Sequence, residues 1–250
     1  MGYKIVVDSC GELPEKLKAS GHFQTVSLEL FVDDYRIVDD ESFDQADFLR
    51  RMAESPNCPK STCPSPEQYV MAYDCEAEHV YAVTLSAQLS GSYNSAQLGR
   101  KLYLEEKGKK DIHVFDSKSA SIGQTLIAMK IQELEEAGLA FEDVVAGVDL
   151  FIRDMNTSFV LESLEALRKN ERLSNIKAFV ASALNIKPVM GATPEGTICQ
   201  LGQARGMARA IDKMITDLVE KTKNPQDKIF AISHCNAARR AQAVAEKVRE

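Results

Sequence analysis

The stretch His79-Val-Tyr-Ala-Val-Thr-Leu85, running on into Ser86-Ala-Gln-Leu-Ser90-Gly91-Ser92, decides the fold. Its first seven residues are almost all apolar, aromatic or β-branched. A run of that length without polar alternation reads as a strand buried on both faces. It breaks into a hydroxyl-rich loop with a glycine, and a helix starts near Tyr93. The same strand, loop, helix cadence recurs on either side. Upstream, Tyr3-Lys-Ile-Val-Val7 ends in Asp8-Ser9-Cys10-Gly11, and a helical stretch follows with Pro14 in its first turn. Downstream, Ile112-His-Val-Phe115 ends in Asp116-Ser117-Lys118-Ser119, and a long helix follows with Gly138 at its C-terminal end. Strands alternating with helices predict a mainly parallel sheet in an α/β layer.

Between the first two of these units, residues 23–32 (FQTVSLELFV) read as one strand. Asp33-Asp34 makes a turn, and Tyr35-Arg-Ile-Val38 pairs back as a hairpin. Ser42 and Gln45 have the spacing of a capping box ahead of a helix. Ser65 and Gln68 form a second one, with Pro66 at the first helical position and the helix running to about Tyr73.

The rhythm changes after about residue 155. Thr157–Leu161 reads as a strand and 162–184 as helices interrupted near Asn170. Ile186–Met190 and Thr197–Leu201 flank Pro194-Glu-Gly196 as an antiparallel pair. Helix 205–221, strand 228–233 and helix 236–249 follow. The expectation is an α/β protein of two lobes: residues 1–155 as an N-terminal, mainly parallel α/β sheet layer, and 156–250 as a C-terminal α+β lobe.

Composition narrows the function. The 250 residues carry 30 Lys and Arg against 37 Asp and Glu, a net charge of −7 that argues against a generally basic nucleic-acid binder. No apolar run approaches the ~20 residues of a membrane span. The start MGYKIVVDSC enters a strand directly and does not read as a signal peptide. None of the six Cys form a C-x-x-C pair and His is scarce, so no metal site is expected and the reduced cytoplasm is the expected setting. No dinucleotide or P-loop glycine motif, zincin motif or nucleophile elbow is present, and no His has the neighbours of a triad.

What the sequence does contain is four hydroxyl-rich loops: Asp8-Ser9; Ser61-Thr62-Cys63-Pro64-Ser65-Pro66; Ser86 to Ser92; and Asp116 to Ser119. In an open α/β sheet, loops at the carboxyl ends of the strands converge on a ligand crevice. Two of these loops open helices, whose free N–H groups attract an anion. From Ser61 through Gly99 there is no Lys or Arg. A phosphate dianion usually recruits a basic side chain, so the pattern favours a carboxylate. The plainer readings stand beside this one. A Ser or Thr at a helix start is most often a cap, as Ser65 is read here, and Gly91 permits a tight turn. Asp8 and Asp116 bind turn amides, and Cys63 is a bystander without a basic neighbour.

Taken in order, the loops resemble the DegV family of bacterial fatty-acid-binding proteins. Asp8-Ser9-Cys10-Gly-Glu-Leu13-Pro14 is similar to that family's D-S-T-x-D-L-P, and Ser61-Thr62-Cys63-Pro64-Ser65-Pro66 to T-S-Q-P-S-P. Leu85-Ser86-Ala-Gln-Leu89-Ser90-Gly91-Ser92-Tyr93 resembles S-S-x-L-S-G-T-Y. Asp116-Ser117-Lys118, Leu164 to Leu173 and Ile186-Lys187-Pro188-Val189 resemble further family segments, with Arg205 following a glycine-containing turn. Cys63 stands where the family has Gln, and Asn170-Glu171 where it has Gly-Gly. The family's last H-x-G-x-G segment has no counterpart.

The resemblance implies a protein that binds a long-chain fatty acid such as palmitate in a buried pocket. It implies no catalytic residue and no cofactor beyond that ligand. By position, Thr62 and Ser90 hold the carboxylate, with Ser9, Ser61, Gly91, Ser92 and Ser117 in the surrounding loops. Some members present the acid to a fatty acid kinase, and Arg172 and Arg205 lie in segments that dock it; Arg172 equally fits a residue closing a helix C-terminus. Two other readings are an enzyme of phosphotransfer or hydrolysis on an α/β lobe similar to the dihydroxyacetone kinases, and an interaction scaffold. The first needs a base near the loops, and only His234 is placed for it; the second leaves the convergent hydroxyls unexplained.

Overall fold

The computed structural model describes residues 2–173 and 185–249. It divides into two compact units, Met1–Met155 and Asn156–Glu250.

The first unit runs β1 (Tyr3–Asp8), α1 (Glu15–Lys18), β2 (Phe23–Val26), β3 (Glu29–Val32), β4 (Tyr35–Val38), α2 (Gln45–Glu54), β5 (Lys60–Thr62) and α3 (Pro66–Tyr73). It continues with β6 (His79–Thr84), α4 (Ser92–Lys107), β7 (Asp111–Asp116), α5 (Ile122–Glu136) and α6 (Phe141–Asp154). The main sheet has the order β2-β1-β6-β7 with every pairing parallel. β6 is buried at all six positions because both sheet faces are covered, which is why its sequence lacks alternation. On one face Ile5, Val7, Tyr81, Val83 and Phe115 pack against Ile127, Ile131, Val144 and Val148 of α5 and α6. On the other, Val6, Val80, Ala82, Ile112 and Val114 meet Tyr69, Tyr73, Ala96 and Tyr103 of α3 and α4.

Residues 23–32 form two strands in two sheets rather than one. β2 belongs to the main sheet, and β3 centres a small antiparallel sheet of order β4-β3-β5. The chain changes sheet at Leu28, whose N–H bonds Ser9 Oγ (2.9 Å) and whose carbonyl accepts from Asp39 N (2.9 Å). The Asp33-Asp34 turn forms as expected, with Asp33 at φ 54°. The cap of α2 is Asp44, which accepts from Ala46 N (2.9 Å) and Asp47 N (3.0 Å); Ser42 is bound to Asp40 instead. Asp44 sits nearer the first turn, and its carboxylate is the stronger acceptor. The Ser65–Gln68 box closes in both directions.

The second unit comprises β8 (Ser158–Phe159), α7 (Glu165–Lys169), β9 (Ile186–Ala192), β10 (Ile198–Arg205), α8 (Met207–Lys221), a 3-10 turn at Pro225–Asp227, and α9 (Ala238–Arg249). The antiparallel sheet has the order β10-β9-β8, and Val189, Met190, Ile198, Ala210 and Ile215 are buried. Only two residues of the strand read at Thr157–Leu161 pair. The part of the helical reading over 174–184 lies outside the described residues. The strand read at 228–233 does not form. Ile229 is 63% and Phe230 38% exposed, and among the described residues no strand lies beside them to complete a ladder.

Candidate functional site

β1, β6 and β7 are parallel and in register, Val7 beside Val83 and Thr84 beside Asp116, so their following loops emerge at one edge. Two aspartates clasp the middle loop. Asp116 Oδ1 accepts from Ala87 N (3.0 Å) and, in its own turn, from Lys118 N (3.1 Å). Asp8 is fully buried. Its Oδ2 accepts from Leu85 N (2.8 Å), and its Oδ1 from Gln124 Nε2 (2.9 Å) and Cys10 N (3.2 Å). Burial pushes the Asp8 carboxyl above the usual carboxylate range, and hydrogen bonds from Gln124, Leu85, Ser92 and Cys10 oppose that shift. Ser86 N donates to Ser119 O (2.9 Å), tying the middle loop to the third.

The β5–α3 loop comes up against this edge. A methyl group at Gly91 would sit 3.0 Å from Cys63 Sγ, and Cys63 Sγ is 3.7 Å from Ser95 Oγ. Thr62 and Ser90, the sequence neighbours of Cys63 and Gly91, are thereby brought into adjoining segments. Ser90 Oγ accepts from Ser92 N (3.2 Å) and lies 3.1 Å from Ser92 Oγ. Gly91 supplies no side-chain cap to α4, so first-turn N–H groups of a 16-residue helix face the loop. The arrangement offers hydroxyl and amide donors to an anion.

Of the seven loop residues singled out from sequence, Ser90, Gly91 and Ser92 belong to this loop, and Thr62 immediately precedes the Cys63 that touches it. Thr62 is exposed and Ser90 half-buried. The other three serve the scaffold. Ser9 Oγ donates to Asp39 (2.7 Å) while accepting from Leu28 N. Ser61 pairs with Leu30 and, by the strand period of two, points to the opposite face from Thr62. Ser117 is buried and braces its own turn, donating to Ser119 O (3.0 Å) and accepting from Ser119 N (3.1 Å).

Two cations outside the Ser61–Gly99 span also reach the Thr62 face, Lys60 from two positions earlier on β5 and Arg36 from across β3. Phe31 is registered with both Lys60 and Arg36, two positions from the Glu29–Thr62 pair. Arg36 is ion-paired with Glu29, directly opposite Thr62, while Lys60 is exposed. His79 is at the other end of β6, bonded through Nδ1 to Glu135 (2.7 Å). Sequence reasoning missed Gln124. Gln124 reaches Asp8 across 116 positions, and no local pattern encodes that contact.

In the second unit, Arg205 ends β10 and is exposed. Arg172 follows α7, where its N–H donates to Leu167 O (2.9 Å) and Glu171 N to Arg168 O (3.1 Å). Those two bonds are a Schellman closure with Glu171 left-handed at φ 59°.

Comparison with known proteins places the chain. The family model described as "Uncharacterised protein, DegV family" matches residues 3–250. A DegV domain-containing protein of Streptococcus pneumoniae is 36% identical over 223 residues, 88% of this chain and 79% of that one. The chain belongs to the DegV family. Among solved DegV structures, a Ruminococcus gnavus protein with vaccenic acid is 53% identical with a TM-score of 0.96, covering 99% of this chain and 88% of its own. The Streptococcus pneumoniae Fatty Acid Kinase (Fak) B3 protein, loaded with linoleic acid, is 32% identical with a TM-score of 0.86, covering 100% and 88%. No described helix is long and apolar enough to cross a membrane.

Proposed function

We propose that this DegV protein binds one long-chain fatty acid, holds its carboxylate with the Thr62 and Ser90 hydroxyls at the start of α4, and presents the bound acid to a fatty acid kinase. It is a carrier that performs no chemistry of its own and works in the bacterial cytoplasm. The observation that carries the reading is the contact of Cys63 with Gly91. It brings two donor-bearing loops together in a chain 53% identical to a protein solved with vaccenic acid. The kinase arm rests on likeness to the Fak B3 protein, and the cytoplasmic setting on a sequence whose six cysteines include no C-x-x-C pair.

Burial of about fourteen methylenes at ~0.8 kcal/mol each gives roughly 11 kcal/mol before ordering costs, so the acyl chain supplies most of the affinity. The carboxylate contacts then fix orientation and leave one end of the ligand accessible. The test is to purify the protein from a bacterial host, denature it and identify released lipid by mass spectrometry. About one fatty acid per chain is expected. A tightly bound nucleotide in its place, or turnover of simple esters at enzymatic rates, removes the reading.

A further inference from the structure

At the opposite edge of the main sheet from the Ser90 loop, the C-terminal end of α3 meets the start of β7 around a lysine and a cysteine. Lys110 immediately precedes β7. Its Nζ donates to Tyr73 O (2.9 Å) and to Cys75 O, carbonyls that α3 leaves open at its end, and to Cys75 Sγ at 3.5 Å. The Tyr103 ring centroid lies 5.5 Å from the same ammonium. A second tie joins the same two stretches of chain, from Lys107 Nζ to Asp74 Oδ2 (3.2 Å). Cys75 is half-buried and packs against the core that contains Tyr73, Val80 and Ile112. Backbone carbonyls therefore place the nitrogen and core packing places the sulfur. The two nucleophiles are held together by contacts that do not depend on each other.

An oxidant can join such a pair. Hydrogen peroxide transfers one oxygen to the Cys75 thiol, giving a sulfenic acid and one water. The Lys110 amine, after releasing its extra proton to solvent, attacks the sulfur. The S–N bond forms as the S–O bond breaks, and the hydroxyl leaves with one N–H proton as the second water. The sulfur gives up two electrons, the peroxide gains them, and the chain becomes lighter by two hydrogen atoms. A thiol reductant cleaves the S–N bond and restores both side chains.

We propose that Cys75 and Lys110 form an oxidative modification site, a clamp between α3 and β7 that peroxide closes and thiols reopen. It stands independently of the fatty-acid reading. The two residues are 35 positions apart, so the closed clamp restricts the unfolded chain over that loop and stabilises the fold.

The experiment treats the full chain with a small excess of hydrogen peroxide at mildly alkaline pH, quenches with catalase and maps proteolytic peptides by mass spectrometry. The Cys75 and Lys110 peptides are expected in one joined species, two hydrogen atoms lighter than the pair, that dithiothreitol parts. The melting temperature should rise by about 5–10 °C and fall back on reduction. Lys110→Arg keeps a cation at this position but has no nitrogen that can lose its proton, so Cys75 should stop at sulfenic acid, trapped by dimedone, with no link. Cys75→Ser should give no link either, and the wild-type peptide map decides the matter if a variant does not fold. Cys75 recovered as a free thiol while the exposed Cys235 is oxidised overturns the proposal. So does Cys75 joined to another cysteine, or found only as sulfinic or sulfonic acid.

Discussion

Cys63 packs its sulfur against the bare α-carbon of Gly91, leaving 3.0 Å for a methyl group. The backbone of Gly91 is ordinary, at φ −74°, so the glycine is needed for close approach and not for conformation. Gly91→Ala should therefore cost stability because of Cys63, by about 1 kcal/mol of overpacking and lost N-cap preference. In a Cys63→Ala background the overpacking part disappears. A double-mutant cycle by denaturant unfolding checks this: a coupling indistinguishable from zero would mean the two loops do not touch.

The Schellman closure of α7 makes a separate forecast. Glu171 holds a left-handed φ of 59° at the position where glycine is ordinarily found. A β-carbon there costs ~1–2 kcal/mol, and the extra freedom glycine gives the unfolded chain offsets about half of that. Glu171→Gly should stabilise the protein by about 0.5–1 kcal/mol, visible as a raised denaturant midpoint at unchanged slope. A lowered midpoint would contradict the geometry.

Much of the fold was legible because burial leaves a mark in composition. β1, β6 and β7 read as strands since both faces of the sheet are covered, and the Ser65–Gln68 box read correctly because both its bonds are local. What stayed hidden depended on distant partners. The break at Leu28 is made by Ser9, nineteen positions away. Residues 228–233 have a strand's composition but no neighbour among the described residues. Ser42 and Asp44 both suit a helix start, and only geometry separates them. At the site, hydroxyl-rich loops were visible one at a time. That Ser9 and Ser117 are spent on the scaffold, that Arg36 reaches the Thr62 face, and that Gln124 meets Asp8 are facts of tertiary pairing.

Arg205 tests the partner. It is exposed at the end of β10, and its side chain makes no hydrogen bond among the described residues, so Arg205→Ala should fold and hold lipid as wild type does. If it belongs to the kinase-docking face, phosphorylation of the bound acid by a cognate kinase should slow at least tenfold, the loss of ~1.4 kcal/mol that a charged contact at an interface supplies. Equal rates for mutant and wild type would remove Arg205 from the docking face.

The sharpest forecast concerns the two hydroxyls. Thr62 is exposed on β5, and Ser90 is half-buried beside Gly91, with the N-terminus of α4 adjoining. Ser90 Oγ already accepts from Ser92 N, which polarises its O–H as a donor. A hydrogen bond to a charged group is worth ~1.5–3 kcal/mol, so Thr62→Ala or Ser90→Ala should weaken fatty acid binding by roughly ten- to a hundredfold. Thr62→Ala leaves every helix cap in place, and the melting temperature of that lipid-free variant should barely move; Ser90→Ala also removes the acceptor of Ser92 N, a first-turn N–H of α4, and should cost ~1 kcal/mol of stability besides. Ser65→Ala supplies the contrast. Its hydroxyl closes a capping box on α3, so removing it should cost ~1 kcal/mol of stability and leave affinity nearly unchanged. The fatty alcohol of the same length should bind wild type more weakly than the acid, and lose less on mutation, because it brings no charge for these donors to meet. Tight acid binding by both Thr62→Ala and Ser90→Ala would show that the carboxylate is held elsewhere and that the two loops meet only to pack.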